Sequence, residues 1–431
     1  MTYSTPRVPM TRVEIPDYAL GLRGKMLRSE KTQPDSLSNI STVMYGLSLT
    51  DSVTDNGFSN ATNGYPDLSL RVDEETRVTL PWREATDAVI ADLVTPDGEP
   101  FEASPRGALQ RVVERYQKRG LTPVLGYEFE FWVFHDEDRG RLDGEAEGLG
   151  RVKNAYSLSR VAGAADLIEE FVARMQHIGV EVEAFHSELG PGLFEFTLSP
   201  QPALRAADNA ARAKQYMREL CAERGLAASF MAKPFGDECG AGGHIHSSLM
   251  SGGRNIFAEA PGKLSETARH YLAGLLATMS DFTALFAPYI NSYKRFDPEM
   301  YVANRPSWGN DDRSVACRTL TATMSAARVE HRISGADTSP YFAALGLLAG
   351  GIHGIENGLD LDETAKTGAL LPTELAEATE MFANSPIAKE LLGEIFVDAV
   401  HQLQRTEIKE YGHWLRTNIT SWERARHLEH H

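Results

Sequence analysis

The chain has 431 residues, 42% apolar and 24% charged, a balance that suits a soluble globular protein with at least one sizeable core. A formal charge of −17 argues against non-specific nucleic-acid binding, so any anion the chain handles must meet local Arg or metal charge. Three irregularly spaced cysteines (Cys221, Cys239, Cys317) argue against a disulfide framework and suit a reducing cytoplasm. The first residues, MTYSTPRVPMTRVEIPDY, hold no apolar signal core. The longest apolar run, Tyr341 to Ile355, is too short to span a bilayer, and the terminal LEHH is set aside as a tag-like ending.

Residues 1–104 read as a small β-rich unit. Alternating runs at Thr42–Leu49 and Leu68–Leu80 are expected as strands, separated by the turn-rich DNGFSNATNGYPD at 55–67. The Pro/Gly-dense TPDGEPFEASPRG marks a boundary, and residues 105–431 form the larger remainder. Helical spacing is expected over Ala108–Arg119, Ala164–Ile178 and Ala203–Arg224, with strands at Gly126–Phe134 and Leu193–Leu198. The acidic DEDRGRLDGEAEG at 136–148 reads as a solvated loop, and the stretch from Pro372 as mostly helical. The mixture defines an α+β fold class.

Five segments carry chemistry. In Gly126–Phe131, strand alternation places Glu128 and Glu130 on one face, roughly 7 Å apart, where a divalent cation would relieve their repulsion. In HSELGPGLFEF, Glu188 and Glu195 bracket a Gly-Pro-Gly turn that can return both carboxylates to one place. In KPFGDECGAGGHIHSSL, a Gly-rich approach leads to His244 and His246 on one strand face. Lys294, Arg295, Arg313 and Arg318 cluster around Gly and Asn turns, as anion-gripping guanidiniums do. Glu330 and Arg332 share a face of a short strand. Taken singly, each also fits an ordinary solvated or ion-paired surface; together they are an inventory for metal-assisted phosphoryl transfer.

In order and wording these blocks resemble glutamine synthetase: Glu-x-Glu, Gly-Pro-Gly-x-x-Glu, Lys-Pro with Gly-rich His-x-His, Asn-Ser-Tyr-Lys-Arg, then Arg-Val-Glu-x-Arg and Gly-Ala-Asp-x-x-Pro-Tyr. Weaker similarity in Arg23–Leu27 and in NGYPDLSLRVD (63–73) extends it toward the N-terminus. The closing Trp-Glu before Arg-His-Leu-Glu is similar to the γ-glutamyl-amine branch. The resemblance implies a β-grasp N-terminal domain and a catalytic domain with a curved antiparallel sheet. It also implies a cytoplasmic double-ring homododecamer, with each site completed by an Asp from a neighbour (Asp51 or Asp55 here).

Carried over residue by residue, the resemblance gives Glu130, Glu188 and Glu195 to the metal nearer glutamate. It gives Glu128, His244 and Glu330 to the metal nearer the ATP phosphates. Gly240, Arg295 and Arg332 would position glutamate; His246, Ser248, Arg313, Arg318 and Arg328 would serve ATP or the transferred phosphoryl group. The implied cofactors are ATP and two or three Mg²⁺ or Mn²⁺ ions, and the implied reaction is ligation of glutamate to an amine through γ-glutamyl phosphate, with Arg295, Arg313, Arg318 and Tyr301 as its catalytic set.

Tyr301 is the main departure: the family's ammonia-using members carry a Glu at this flap position, and here the nearest is Glu299. A phenol is a poor cation partner, so Tyr301, with Met300, Trp308 and Phe58, is expected to face a bulkier organic amine. Cys239 and Ser325 also depart from the usual residues. The alternatives are a glutamine synthetase with an altered flap and a catalytically silent ring protein. A phosphagen-type kinase has less support, because its blocks would differ.

Overall fold

The computed structural model describes residues 8–19, 21–33, 38–137, 148–150, 153–364 and 369–429. Residues 138–147 of the acidic loop and the last two of the LEHH ending lie outside them.

The first five strands are β1 (Met10–Pro16), β2 (Leu22–Arg28), β3 (Asn39–Ser41), β4 (Asp67–Thr79) and β5 (Thr86–Val94). They form one mixed sheet in the order β2-β1-β5-β4-β3, antiparallel except for the β1–β5 pair. The run Leu68–Leu80 is a strand as its pattern predicts. Thr42–Leu49 is not: Thr42–Gly46 winds into a 3₁₀ turn, started by the Ser41 hydroxyl, which accepts the Val43 N–H. The Thr54 N–H donates to Gly46 O, folding the segment back on itself. Burial of Met44 and Tyr45 explains the apolar spacing; Tyr45 stacks with Tyr18 and Phe101.

Helix α1 (Pro105–Gln117) starts three residues ahead of its apolar pattern because Ser104 caps it and Pro105 occupies the first turn. It is followed by β6 (Thr122–His135), α2 (Leu158–Gly163), α3 (Ala165–His177), β7 (Val182–Ser187), β8 (Leu193–Leu198), β9 (Gln201–Pro202), α4 (Ala203–Glu223), β10 (Leu226–Ser229), β11 (Gly243–Ser251) and β12 (Arg254–Asn255). The chain continues through β13 (Ala258–Ala260), β14 (Lys263–Leu264), α5 (Glu266–Thr278), α6 (Thr283–Phe286), β15 (Trp308–Asn310), β16 (Cys317–Leu320) and β17 (Arg328–His331). It closes with α7 (Pro340–Asn357), α8 (Leu361–Thr364), α9 (Leu375–Asn384), α10 (Pro386–Leu392), α11 (Glu394–Thr417) and α12 (Ser421–His427), the helical ending expected after Pro372.

The large sheet has ten strands with the main order β15-β16-β17-β11-β6-β8-β7. Its ladders are antiparallel except β15–β16, so the expected antiparallel sheet carries one parallel edge pair. One face of β6 (Tyr127, Phe129, Phe131) is buried against Phe196 and Phe230, with Phe131 stacked on Phe230 at 5.4 Å. Helix α7 is the long apolar run; it crosses α5 so closely that a Cβ on Gly354 would lie 2.0 Å from His270 O. Among the described residues no helix is long and apolar enough to cross a membrane.

Arg106, on α1, ties the first sheet to α4. Its buried guanidinium pairs with Asp92 on β5 at 2.9 Å, Asp73 on β4 at 2.6 Å and Asp208 on α4 at 2.9 Å. Replacing Arg106 by Met strands these carboxylates without their cation, and the expected cost is about 3–5 kcal/mol. Urea unfolding of the variant beside the parent checks it.

Candidate active site

Strand register builds the site. β6 presents Glu128 and Glu130 on the face opposite its aromatic residues. On one side β11 sets His244 opposite Glu128 and His246 opposite Gly126. On the other, β8 sets Glu195 opposite Glu130, and β7 sets His186 opposite Glu195. Beyond β11, β17 sets Glu330 opposite His246, and β16 sets Arg318 opposite Glu330. Glu128 and Glu330, far apart in the chain, therefore share one sheet face with only β11 between their strands.

The two faces of the Gly-Pro-Gly turn converge as expected: the Glu188 N–H donates to Leu193 O, so Glu188 and Glu195 point to one place. Gly192 takes φ +101° and its Cβ position is filled by Gly148 and Leu149, so this corner requires glycine on both grounds.

A cavity of about 860 Å³ opens on this face. Glu128, Glu130, Glu188, Glu195, Gly240, His244, His246, Ser248, Arg295, Tyr301, Arg313, Arg318, Arg328, Glu330 and Arg332 all line it, whereas Lys294, grouped with these arginines from the sequence, is exposed outside the lining. Of the other residues singled out, Cys239, Met300 and Ser325 line it too. Trp308 and Phe58 do not: Trp308 is half-buried against the core, and Phe58 packs edge-on against Phe101 at 4.9 Å. Glu299 is exposed and outside the lining.

Two groups of donor atoms stand in the cavity, each within 4.8 Å of one another. The first is Glu128, His244 and Glu330, the set expected at the phosphate side. His244 Nδ1 lies 2.7 Å from Glu128 Oε1, and His246 Nε2 lies 3.4 Å from Glu128 Oε2. Burial opposes ionisation of Glu128, yet its hydrogen bonds with both histidines hold it well below the usual carboxylate range. Glu330 is likewise held down against burial by His244, His246 and Arg332. Arg332 pairs with one Glu330 oxygen, and Arg318 with the other at 3.0 Å.

The second group is His186, Glu188 and Glu195, and His186 is the residue the sequence reading missed. His186 Nε2 lies 2.8 Å from Glu195 Oε1 and Nδ1 3.5 Å from Glu188 Oε1. Strand periodicity could have found it, since it stands two residues before Glu188. Glu130, expected in this group, lies beside it opposite Glu195, where its Oε2 accepts the Gly242 N–H at 2.7 Å. Burial, with Glu128 and Glu130 nearby, pushes Glu195 up to about 7 despite His186, and burial also raises Glu188. The Glu195 hydrogen bond outweighs burial and raises His186 to about 9.

Donor sets rich in carboxylate with one imidazole suit hard divalent cations such as Mg²⁺ or Mn²⁺. Both groups fit that description in number, type and mutual reach. Around them stand the cations: buried Arg295, whose Nη1 donates to Ile333 O at 2.9 Å, and Arg328, whose Nε donates to His246 Nδ1 at 3.2 Å. Arg313 sits exposed at the rim. Gly240 leaves room for the Arg295 stem, because a Cβ there would come within 2.7 Å of Arg295 Cγ.

The chain belongs to the glutamine synthetase family: the model of the glutamine synthetase catalytic domain matches residues 102–427. A glutamate–isopropylamine ligase from Pseudomonas sp is 35% identical, covering 94% of this chain and 92% of the relative. A γ-glutamylethanolamide synthetase from Streptomyces coelicolor is 36% identical, covering 85% and 80%. A γ-glutamylputrescine synthetase from Escherichia coli is 31% identical, covering 78% and 74%. The mixed fold matches solved structures as well. One described as apo GmaS superposes with a TM-score of 0.83 at 25% identity over 98% of this chain and 97% of that one. A glutamine synthase homolog does so with 0.83 at 27% identity over 99% of each.

Because Glu195 holds a proton up to about pH 7, a divalent ion entering the second group must displace it. The affinity for Mn²⁺ is therefore expected to rise from pH 6 to pH 8, with net proton release. Calorimetric titration in two buffers of different ionisation enthalpy measures both.

Proposed function

We propose that the protein is an ATP-dependent ligase joining the γ-carboxylate of L-glutamate to an organic amine through γ-glutamyl phosphate. One observation carries this reading: two groups of hard-cation donors side by side in a single cavity, ringed by Arg295, Arg313, Arg318, Arg328 and Arg332. A carboxylate is a poor acyl donor, and its oxygen must first take the phosphoryl group of ATP. Bound Mg²⁺ or Mn²⁺ would neutralise charge on the phosphates.

The residues of this chain supply the rest. Glu128, His244 and Glu330 would hold one ion, and Glu188 and Glu195, with Glu130 or His186, the other. Arg295, Arg332 and the Gly240 backbone position glutamate, and the rigid sheet presents its γ-carboxylate toward the donor phosphate. His246, Ser248 and Arg328 receive ATP, while Arg313 and Arg318 offset charge spread over the moving phosphoryl group. The amine nitrogen then bonds to the acyl carbon, the C–O bond to phosphate breaks, phosphate leaves with the bonding pair, and the nitrogen gives up one proton to the departing phosphate. Tyr301, in place of a flap carboxylate, leaves free ammonium without that partner and supports an organic acceptor. The relatives named for isopropylamine, ethanolamide and putrescine products support it as well.

The same reading takes residues 1–104 as a β-grasp domain and residues 105–431 as the catalytic domain. The mixed sheet with its parallel β1–β5 pair supports the first assignment. It also takes the enzyme as a cytoplasmic double-ring dodecamer. Exposed Trp414, Leu415, Ile419 and Trp422 near the C-terminus support assembly, and the three free cysteines suit the compartment.

Phosphate release from ATP with glutamate and Mg²⁺ or Mn²⁺ across a panel of amines, with products weighed, tests the reading. The expected result is a γ-glutamyl amide from one organic amine well ahead of ammonium. Ammonium in front would make it a glutamine synthetase, and no product with any amine would favour a silent ring. Glu330→Gln is expected to lower turnover by roughly two orders of magnitude or more.

A further inference from the structure

The two ends of the cavity differ in chemistry. At one end stand the polar His246, Ser248, Asn255 and Arg328, with Met250, Ala326 and Ala327 among them. The other end is bounded by Leu189, Cys239, Met300, Tyr301 and Val302. Cys239 Sγ lies 3.9 Å from Met300 Sδ, so the two sulfurs form one continuous soft wall. Leu189 follows Glu188 directly and donates its N–H to that carboxylate at 3.0 Å. The Cys239 thiol is pushed up by burial and then by the nearby Glu130 carboxylate, with Glu188 adding to it. The apolar wall therefore adjoins the Glu130, Glu188 and Glu195 side, away from the His246 end.

Its exposure is unusual. Leu189 is 48% and Tyr301 62% exposed, although both line a cavity. Tyr301 also holds a left-handed backbone, φ +59°, at the end of the Pro298–Met300 turn. A bulky side chain is rarely kept in that conformation without a local reason. Apolar surface left open at the mouth of a charged cavity is surface for a ligand to cover.

Charge at this end points the same way. The described carboxylates lining the cavity are Glu128, Glu130, Glu183, Glu188, Glu195 and Glu330. All but Glu183 belong to the donor groups or stand beside them. Glu183 bonds the Ser199 hydroxyl at 3.0 Å, on the stretch of β7 that pairs near Thr197 and Leu198, toward the Gly126 and His246 end. The cation at the rim is Arg313, whose charge reaches Tyr156 beside Glu188. Among the described residues of this chain, a second ammonium on the acceptor would thus meet apolar walls and a like charge.

Resting on the ligase reading above, we infer that the wall of Leu189, Cys239, Met300, Tyr301 and Val302 is the acceptor subsite, and that it selects a primary monoamine with an uncharged apolar alkyl or aryl substituent. The amine nitrogen sits toward Glu188 and the substituent lies along the two sulfurs and the Tyr301 ring. Diamines, polyamines and hydroxyalkylamines are disfavoured because this wall presents no partner for their distal polar group.

Matched acceptors test it: n-propylamine against ethanolamine, and n-pentylamine against putrescine, with benzylamine as the aryl member. Hydroxylamine serves as the smallest nucleophile and reports formation of the activated glutamate as hydroxamate. The expected kcat/KM favours the apolar member of each pair by roughly tenfold or more. Tyr301→Glu is expected to shrink or reverse the pentylamine to putrescine ratio by raising KM for pentylamine. Hydroxamate formation together with a preference for putrescine or ethanolamine in the parent overturns the acceptor assignment and leaves the ligase reading intact. A Tyr301→Glu variant with unchanged ratios removes Tyr301 from the wall and overturns the subsite as drawn. Neither hydroxamate nor ADP from the parent defeats the ligase reading itself.

Discussion

Like charge crowded on one face of a buried sheet is the constraint on which this molecule depends. Two carboxylates 7 Å apart on one strand repel by about 2 kcal/mol at the effective dielectric of a protein surface, and more when burial strips their water. Here six glutamates share one cavity. They are tolerated because each is answered. Glu128 meets two histidines, Glu330 meets two arginines, Glu195 meets His186, Glu130 and Glu188 each take a backbone N–H, and Glu183 takes the Ser199 hydroxyl. The aromatic layer on the back of β6 makes the arrangement rigid, since Tyr127, Phe129 and Phe131 cannot turn to the solvent without opening the core.

The answers are not uniform, and the difference separates the two ends of the site. Histidines and arginines keep Glu128 and Glu330 ionised, ready to face a cation and phosphate oxygens. Around Glu195 burial wins and pushes that carboxyl up to about 7, and burial also raises its neighbour Glu188. One sheet face thus holds one group whose carboxylates are kept ionised and one in which burial opposes their ionisation.

Much of this was legible in the sequence because strand alternation converts spacing directly into facing. Glu128 with Glu130, and His244 with His246, share a face by period two alone, and the Gly-Pro-Gly turn brings Glu188 to Glu195. What joins those pairs into one cavity is register across β17, β11, β6, β8 and β7, which local pattern does not carry; the ordered motifs of the family supplied it. His186 obeys the same period-two rule, two residues before Glu188, but a lone histidine ahead of an acid carries no spacing signal that marks it as a ligand. Thr42–Leu49 has strand-like alternation, but the Ser41 cap and the fold-back to Thr54 turn it into a 3₁₀ segment. Phe58 and Trp308 are aromatic for packing, and only the tertiary contacts reveal that.

The central claim is that glutamate is activated by phosphorylation of its own γ-carboxylate within this cavity. The most direct measurement is the fate of oxygen from glutamate labelled with ¹⁸O in the γ-carboxylate, turned over with ATP and the preferred amine. Transfer of one ¹⁸O atom from each glutamate consumed into the phosphate released is the predicted result. Unlabelled phosphate, with amide still formed, would contradict the account.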